Sequence, residues 1–183
     1  KGASHFAVDY NKLLKIEQES CFVGYGSLVA KDEAIVALIQ QDQEMELVRE
    51  GEEALLVLAN TPFYAESGGQ LGDTGLIVNG DNVFAVTDTV KLGQAIVHKG
   101  YVERGQFQLG EKVAAEVDAA RREQTALHHS VTHLLHAALR KVLGGHVAQK
   151  GSQVGADRLR FDFSHFEAMT TATIRRVEEI VNA

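Results

Sequence analysis

The sequence predicts an α+β protein: a small β-barrel followed by an α/β unit of helix, β-hairpin and helix. Three observations support this. Residues 1–115 hold many short runs of Val, Ile, Leu and Phe, punctuated by Gly, Asn and Asp, which is the pattern of a small barrel or sandwich. Residues 119–143 contain neither Gly nor Pro and are followed by Gly144-Gly145, the pattern of a long helix with a glycine stop. Two strand-like runs and a second helical pattern close the chain.

Taken in order, residues 21–25, 34–39, 45–48, 54–59, 76–78, 83–86, 95–98 and 113–117 read as strands. Residues 34–40 are short enough to be helix or strand, because periodicity does not separate the two at that length. Val78-Asn79-Gly80-Asp81 reads as a hairpin turn. Asp118 stands where an N-cap would precede the long helix. Residues 146–154 and 159–163 read as two strands around a Gly155-Ala156-Asp157 turn. Ser164-His165-Phe166-Glu167 has the spacing of a capping box and is expected to open the second helix. The boundary falls within residues 112–118, giving a barrel domain over 1–115 and an α+β domain over 116–183.

Composition excludes several classes. No apolar run approaches the roughly 20 residues that span a bilayer, and the N-terminus lacks the apolar core of a signal peptide. The chain does not begin with Met and is expected to be a piece of a longer protein. Cys21, the single cysteine, excludes an internal disulfide and a CxxC zinc site and fits a reducing cytoplasm. The net charge of −7 is unevenly spread: residues 1–115 carry 9 basic and 17 acidic side chains, whereas residues 116–160 carry 7 and 4. The locally basic stretch suits an anionic substrate, although a solvated face is the commoner reason for such charge.

That stretch contains LHHSVTHLLHAAL, residues 127–139, with half of the chain's eight histidines. At about 100° per residue, His129, His133 and His136 share one side of the helix. Leu127, Val131, Leu134, Ala138 and Val142 lie opposite, so the three imidazoles are expected to point away from the core. His128 falls at the edge of the stripe, as packing or surface. His129 and His133 are one turn apart and can grip one metal ion. No glutamate lies between them as HExxH requires, nor is HxxEH present, which removes the metalloprotease reading. Two ligands are too few for zinc, which takes four. His136, only three residues on, is better placed to support a ligand than to bind the metal itself, and His146 and His165 are candidates for recruitment through folding.

Residues 61–75 read TPFYAESGGQLGDTG. Its glycines would let the backbone approach a ligand closely and offer amides to an anion. There is no GK[ST] ending and no strand–helix unit around it, so it is neither a P-loop nor a dinucleotide fingerprint; a tight turn is the plainer alternative. After the helix, residues 146–152 (HVAQKGS) return as a strand on which Gln149 could orient a water or a substrate carbonyl. Lys150 alternates to the other face, toward solvent.

Together, FYAESGGQLGDTG, HHSVTHLLHAALRKVLGGHVAQKGS and LRFDFSHFEAMT resemble the editing region of bacterial alanyl-tRNA synthetases, across essentially the whole chain. The resemblance implies a β-barrel paired with an editing unit similar to that of threonyl-tRNA synthetase. It implies hydrolysis of Ser-tRNA(Ala) and Gly-tRNA(Ala) and a tRNA(Ala) acceptor end as partner, alongside the rest of the parent chain. It implies zinc on His129 and His133, with the remaining ligands expected beyond residue 183. It implies editing contributions from Gln149 and from Ser67, Gly68, Gly69 and Gln70, and a Thr61 that senses the extra hydroxyl of serine. Arg140 and Lys150 are the candidates for holding the substrate. ATP would serve only the parent enzyme's aminoacylation domain, which this chain lacks. Two other readings stand beside this one: a passive tRNA-docking module with an incomplete zinc site, and a free-standing aminoacyl-tRNA deacylase.

Overall fold

The computed structural model describes residues 16–67, 70–165 and 167–183. They form two compact units. One comprises the described residues up to Glu66 together with Gly72–Ala119; the other comprises Ser67, Gln70 and Leu71 together with Ala120–Ala183.

The first unit is built from β1 (Cys21–Phe22), β2 (Val29–Gln40), β3 (Gln43–Glu44), β4 (Leu47–Arg49), β5 (Glu53–Leu58), β6 (Asn60–Thr61), β7 (Gly75–Asn79), β8 (Asn82–Leu92), β9 (Ala95–Arg104), β10 (Gln106–Gln108) and β11 (Lys112–Val117). Residues 34–40, ambiguous in sequence, are strand. Six strands run in the order β11-β7-β8-β9-β5-β2, and β11 pairs back onto β2, so the sheet closes into an antiparallel barrel. Closure removes the exposed edges that an open sheet of this size would offer to other chains. The turn between β7 and β8 is the expected one, with Gly80 at φ 58°.

The barrel interior is filled by Ile35, Leu38, Leu56, Leu58, Ile77, Phe84, Phe107 and their neighbours. Phe84 and Phe107 meet edge to face at 6.2 Å. A second apolar layer, with Ala37, Ile39, Leu55, Val57, Ala95 and Val97, packs on the other face of β2, β5 and β9. This is why Ala54 to Leu58 are buried without alternation.

The barrel also fixes the neck of the glycine-rich segment. The Tyr64 amide donates to Asp73 Oδ2 at 2.7 Å, and the Asp73 amide donates to the Tyr64 carbonyl at 2.9 Å. Glu66 N–H donates to the Thr89 carbonyl at 2.9 Å. A Cβ on Gly72 would stand 2.0 Å from that same Thr89 oxygen, so no other residue fits there.

The second unit holds α1 (Ala119–Leu143), β12 (Gln149–Val154), β13 (Leu159–Phe163) and α2 (Thr171–Val181). Ala138 and Leu139 of α1 and Val177 of α2 cluster with Val147, Phe161 and Phe163. The second helix does not start at the Ser164–Glu167 box: Thr170 is its N-cap and accepts from the Thr173 amide at 3.2 Å. Ser164 is engaged elsewhere, its amide donating to the Ala148 carbonyl and its Oγ accepting from the Ala148 amide, which closes the open end of the hairpin. Among the described residues no helix is long and apolar enough to cross a membrane.

The packed face of α1 also departs from expectation. Leu127 and Leu134 are 60% and 54% exposed, whereas Thr125, Thr132 and Leu139 are buried and His128, His129 and His136 are half-buried. The threonines explain the rotation. Thr125 Oγ1 donates to the Arg121 carbonyl and Thr132 Oγ1 to the His128 carbonyl, each at 3.0 Å. A hydroxyl satisfied within its own helix can be buried without another partner.

Replacing Phe84 with alanine empties the centre of the barrel. It is expected to cost about 3–5 kcal/mol, read as a lower midpoint of urea or thermal unfolding.

Candidate functional site

In the second unit, Ser67 and Gln70 close a tight reversal: the Ser67 amide donates to the Gln70 carbonyl at 3.2 Å and the Gln70 amide to the Ser67 carbonyl at 3.0 Å. Gly68 and Gly69 lie outside the described residues. Gln70 then bridges in parallel to Val154 at the end of β12, and the Leu71 amide donates to the Val154 carbonyl at 2.8 Å. The next carbonyl, that of Gly155, accepts from His128 Nδ1 of α1 at 2.6 Å. Because a carbonyl only accepts, His128 carries its proton on Nδ1. The glycine-rich segment and the histidine helix are thus bonded to one short piece of backbone, the hairpin tip.

His129 and His133 follow directly. Their Nε2 atoms are 3.3 Å apart, with ring planes at 84° and centroids 4.9 Å apart. Two imidazole nitrogens about 2.0–2.1 Å from a tetrahedral zinc lie about 3.3–3.4 Å from one another, so this pair fits half of a zinc shell. Among the described residues no third His, Cys, Asp or Glu completes a metal-binding group. His129 Nδ1 and His136 Nε2 are buried without a hydrogen-bond partner among the described residues, and the His136 ring lies 5.5 Å from that of Phe161. His146 and His165 pair with each other, Nε2 to Nδ1 at 2.8 Å, with ring planes within 20° and centroids 5.1 Å apart. This pair has the shorter N···N distance and the longer centroid separation. The rings are therefore head-on, sharing a proton along one line, and do not converge on a common ligand.

Gln149 begins β12 and Gln70 meets its far end at Val154. Five residues at about 3.3 Å each separate those positions by roughly 16 Å. A β-bulge between Gln149 and Gly151 sets Gln149 opposite Phe163 and leaves Lys150 as the extra residue. Both Gln149 and Lys150 are exposed. Gln149 thereby takes the side of the hairpin on which Phe161 and Phe163 pack against α1. Arg140 is exposed in the last turn of α1, about 18 Å along the helix from His128. The second unit thus ties Gln70, Leu71 and His128 to the hairpin tip, with His129 and His133 next along α1, and sets Gln149 and Lys150 at the open end of the hairpin and Arg140 at the far end of the helix.

Thr61 belongs to the barrel unit and is fully buried. Its Oγ1 lies 2.8 Å from His98 Nε2 and accepts from the Phe63 amide at 3.1 Å. His98 Nδ1 donates to the Leu56 carbonyl at 2.7 Å. The tautomer is therefore Nδ1–H, and the Thr61 hydroxyl donates to Nε2. Phe63 covers the ring edge to face at 5.0 Å. His98 was not among the residues picked out in the sequence; its one signal there is an imidazole standing in an otherwise apolar strand, AIVH. Burial lowers its pKa to about 4, against a smaller opposing effect of the Leu56 carbonyl.

A family model described as tRNA synthetases class II (A) matches residues 1–121.

Because His98 folds neutral and titrates normally when unfolded, the unfolded chain binds the extra proton between the usual pH 6.5 and about pH 4. The His98 contribution is therefore complete above pH 6.5 and is lost as pH falls through that window, with a limiting slope of about 1.4 kcal/mol per pH unit. Urea unfolding from pH 7.5 to 4 should show this component, and His98→Leu should lack it.

Proposed function

Because the chain belongs to the class II (A) family of tRNA synthetases, we propose that it is the editing part of an alanine–tRNA ligase, hydrolysing Ser-tRNA(Ala) and Gly-tRNA(Ala). The observation that carries this reading is the His129–His133 pair, its Nε2 atoms 3.3 Å apart, the spacing of two imidazole ligands on one zinc ion. Membership in the family implies tRNA as the partner, and the editing reading names its acceptor end and the cytoplasm, where charged tRNA is used.

The need for such a site follows from chemistry. A synthetic pocket shaped for alanine cannot strongly reject glycine, which is smaller, or serine, which adds one hydroxyl. A second, hydrolytic site corrects the product. Zinc would be held by His129 and His133 with two donors from outside the described residues, and when bound it supplies a charge that positions the ester or polarises water. The chain's own groups do the rest. The Ser67 hydroxyl and the Gln70 carboxamide offer donors to the aminoacyl end, since the backbone amides of both residues already donate to each other's carbonyls. Gln149 offers one donor and one acceptor to orient water or the ester carbonyl. Arg140 and Lys150 attract the acceptor phosphates. Thr61 distinguishes serine only where its hydroxyl is uncovered, since it is buried and bonded to His98. Attack by water fits better than a covalent route, because the sequence offers no Ser-His-Asp array and no nucleophile–base pair stands out among the described residues.

The roughly 16 Å between Gln149 and the Gln70 bridge favours a second reading, a tRNA-docking module whose hydrolytic parts are not assembled. One assay separates the two. On the editing reading the chain, supplied with zinc, releases serine from Ser-tRNA(Ala), and Gln149→His lowers that rate by about 100-fold. No release above the uncatalysed rate leaves the docking reading. Independently, His133→Ala should weaken zinc binding at least about 100-fold, measured by competition with a chromophoric chelator.

A further inference from the structure

On the editing reading, we infer that His128 is a positioning residue that sets Gln70 and Leu71, the end of the glycine-rich segment, beside α1. Nothing in the spacing of the histidines assigns it a role. The geometry does. The backbone at Val154–Gly155 accepts twice in succession: from the Leu71 amide at Val154 and from His128 Nδ1 at Gly155. The first bond carries the Ser67–Leu71 segment; the second comes from the residue next to His129.

The segment between the two bonds is stiff. Val154, Gly155 and Ala156 are buried. The Gly155 amide closes the turn by donating to the Arg158 carbonyl at 2.9 Å. A Cβ on Gly155 would stand 2.8 Å from Leu71 Cδ1, so Leu71 seats directly on the turn. With the turn rigid, the position of the glycine-rich segment along α1 is fixed by the His128 bond. That bond needs an N–H donor two bonds from Cβ, which asparagine's carboxamide also supplies and leucine does not.

The test uses the full chain unchanged, His128→Leu and His128→Asn, with two readouts: amide hydrogen exchange at Leu71 and kcat/KM for Ser-tRNA(Ala) deacylation. His128→Leu should speed Leu71 exchange about fivefold or more, the factor that one net hydrogen bond corresponds to, and should lower kcat/KM. His128→Asn should restore both. An unchanged Leu71 exchange rate in His128→Leu overturns the inference. If the leucine variant does not fold, the asparagine variant decides: retained protection at Leu71 supports the role and its loss overturns it. A chain that deacylates in no form sinks the editing reading alone, because the exchange result still judges His128.

Discussion

The rest of the structure depends on how the closed barrel holds the two ends of one short segment. Closing β11 onto β2 leaves the barrel no open edge. The Thr89 carbonyl accepts from Glu66 on one side of the neck and abuts Gly72 on the other. The buried Thr89 hydroxyl donates to the Asp73 carbonyl at 2.9 Å, and Asp73 in turn caps the Tyr64 amide. Each of these groups is satisfied within the barrel. Past the neck, Ser67 and Gln70 bond to each other, Gln70 bridges Val154, and the Leu71 amide donates to the Val154 carbonyl.

This accounts for how much the sequence revealed. The cores of most strands, the Gly80 turn, the long helix with its Gly144 stop and the hairpin around residues 155–157 were legible, because each is decided by local chemistry; β3, β10 and the polar extensions of β2, β8 and β9 were not. The closing β2–β11 pair was not, since nothing local encodes a pairing between residues about eighty positions apart. The capping box misled because Ser164 has two possible employments and the hairpin takes it. The helix face misled for a subtler reason. A hydrophobicity wheel scores threonine as polar, yet Thr125 and Thr132 bond to their own helix and bury readily. Two such residues, seven apart, turned the packed face of α1 toward the histidines.

Of the candidate site, the HxxxH turn and the glycine-rich segment were legible as separate motifs. The bonds of Leu71 and His128 to Val154–Gly155 were not, because those two residues have no side-chain chemistry to attract notice. The bulge at Lys150 was equally hidden. Regular pairing would have set Lys150 opposite Phe163 and turned Gln149 away; one extra residue exchanges them.

The histidines show why residue type alone does not assign function. His98 uses both nitrogens within the barrel and is held neutral by burial. His128 donates one proton to a carbonyl. His146 and His165 lie nearly coplanar and head-on, so a single proton bridges them and their lone pairs do not converge. His129 and His133 are perpendicular, farther apart at nitrogen and closer at centroid. The 3.3 Å between the Nε2 atoms is both a long hydrogen bond and the spacing of two imidazoles on one tetrahedral zinc. Two histidine pairs of one chain thus differ in ring geometry, one head-on and one perpendicular, because one joins two segments and the other spans a single helical turn.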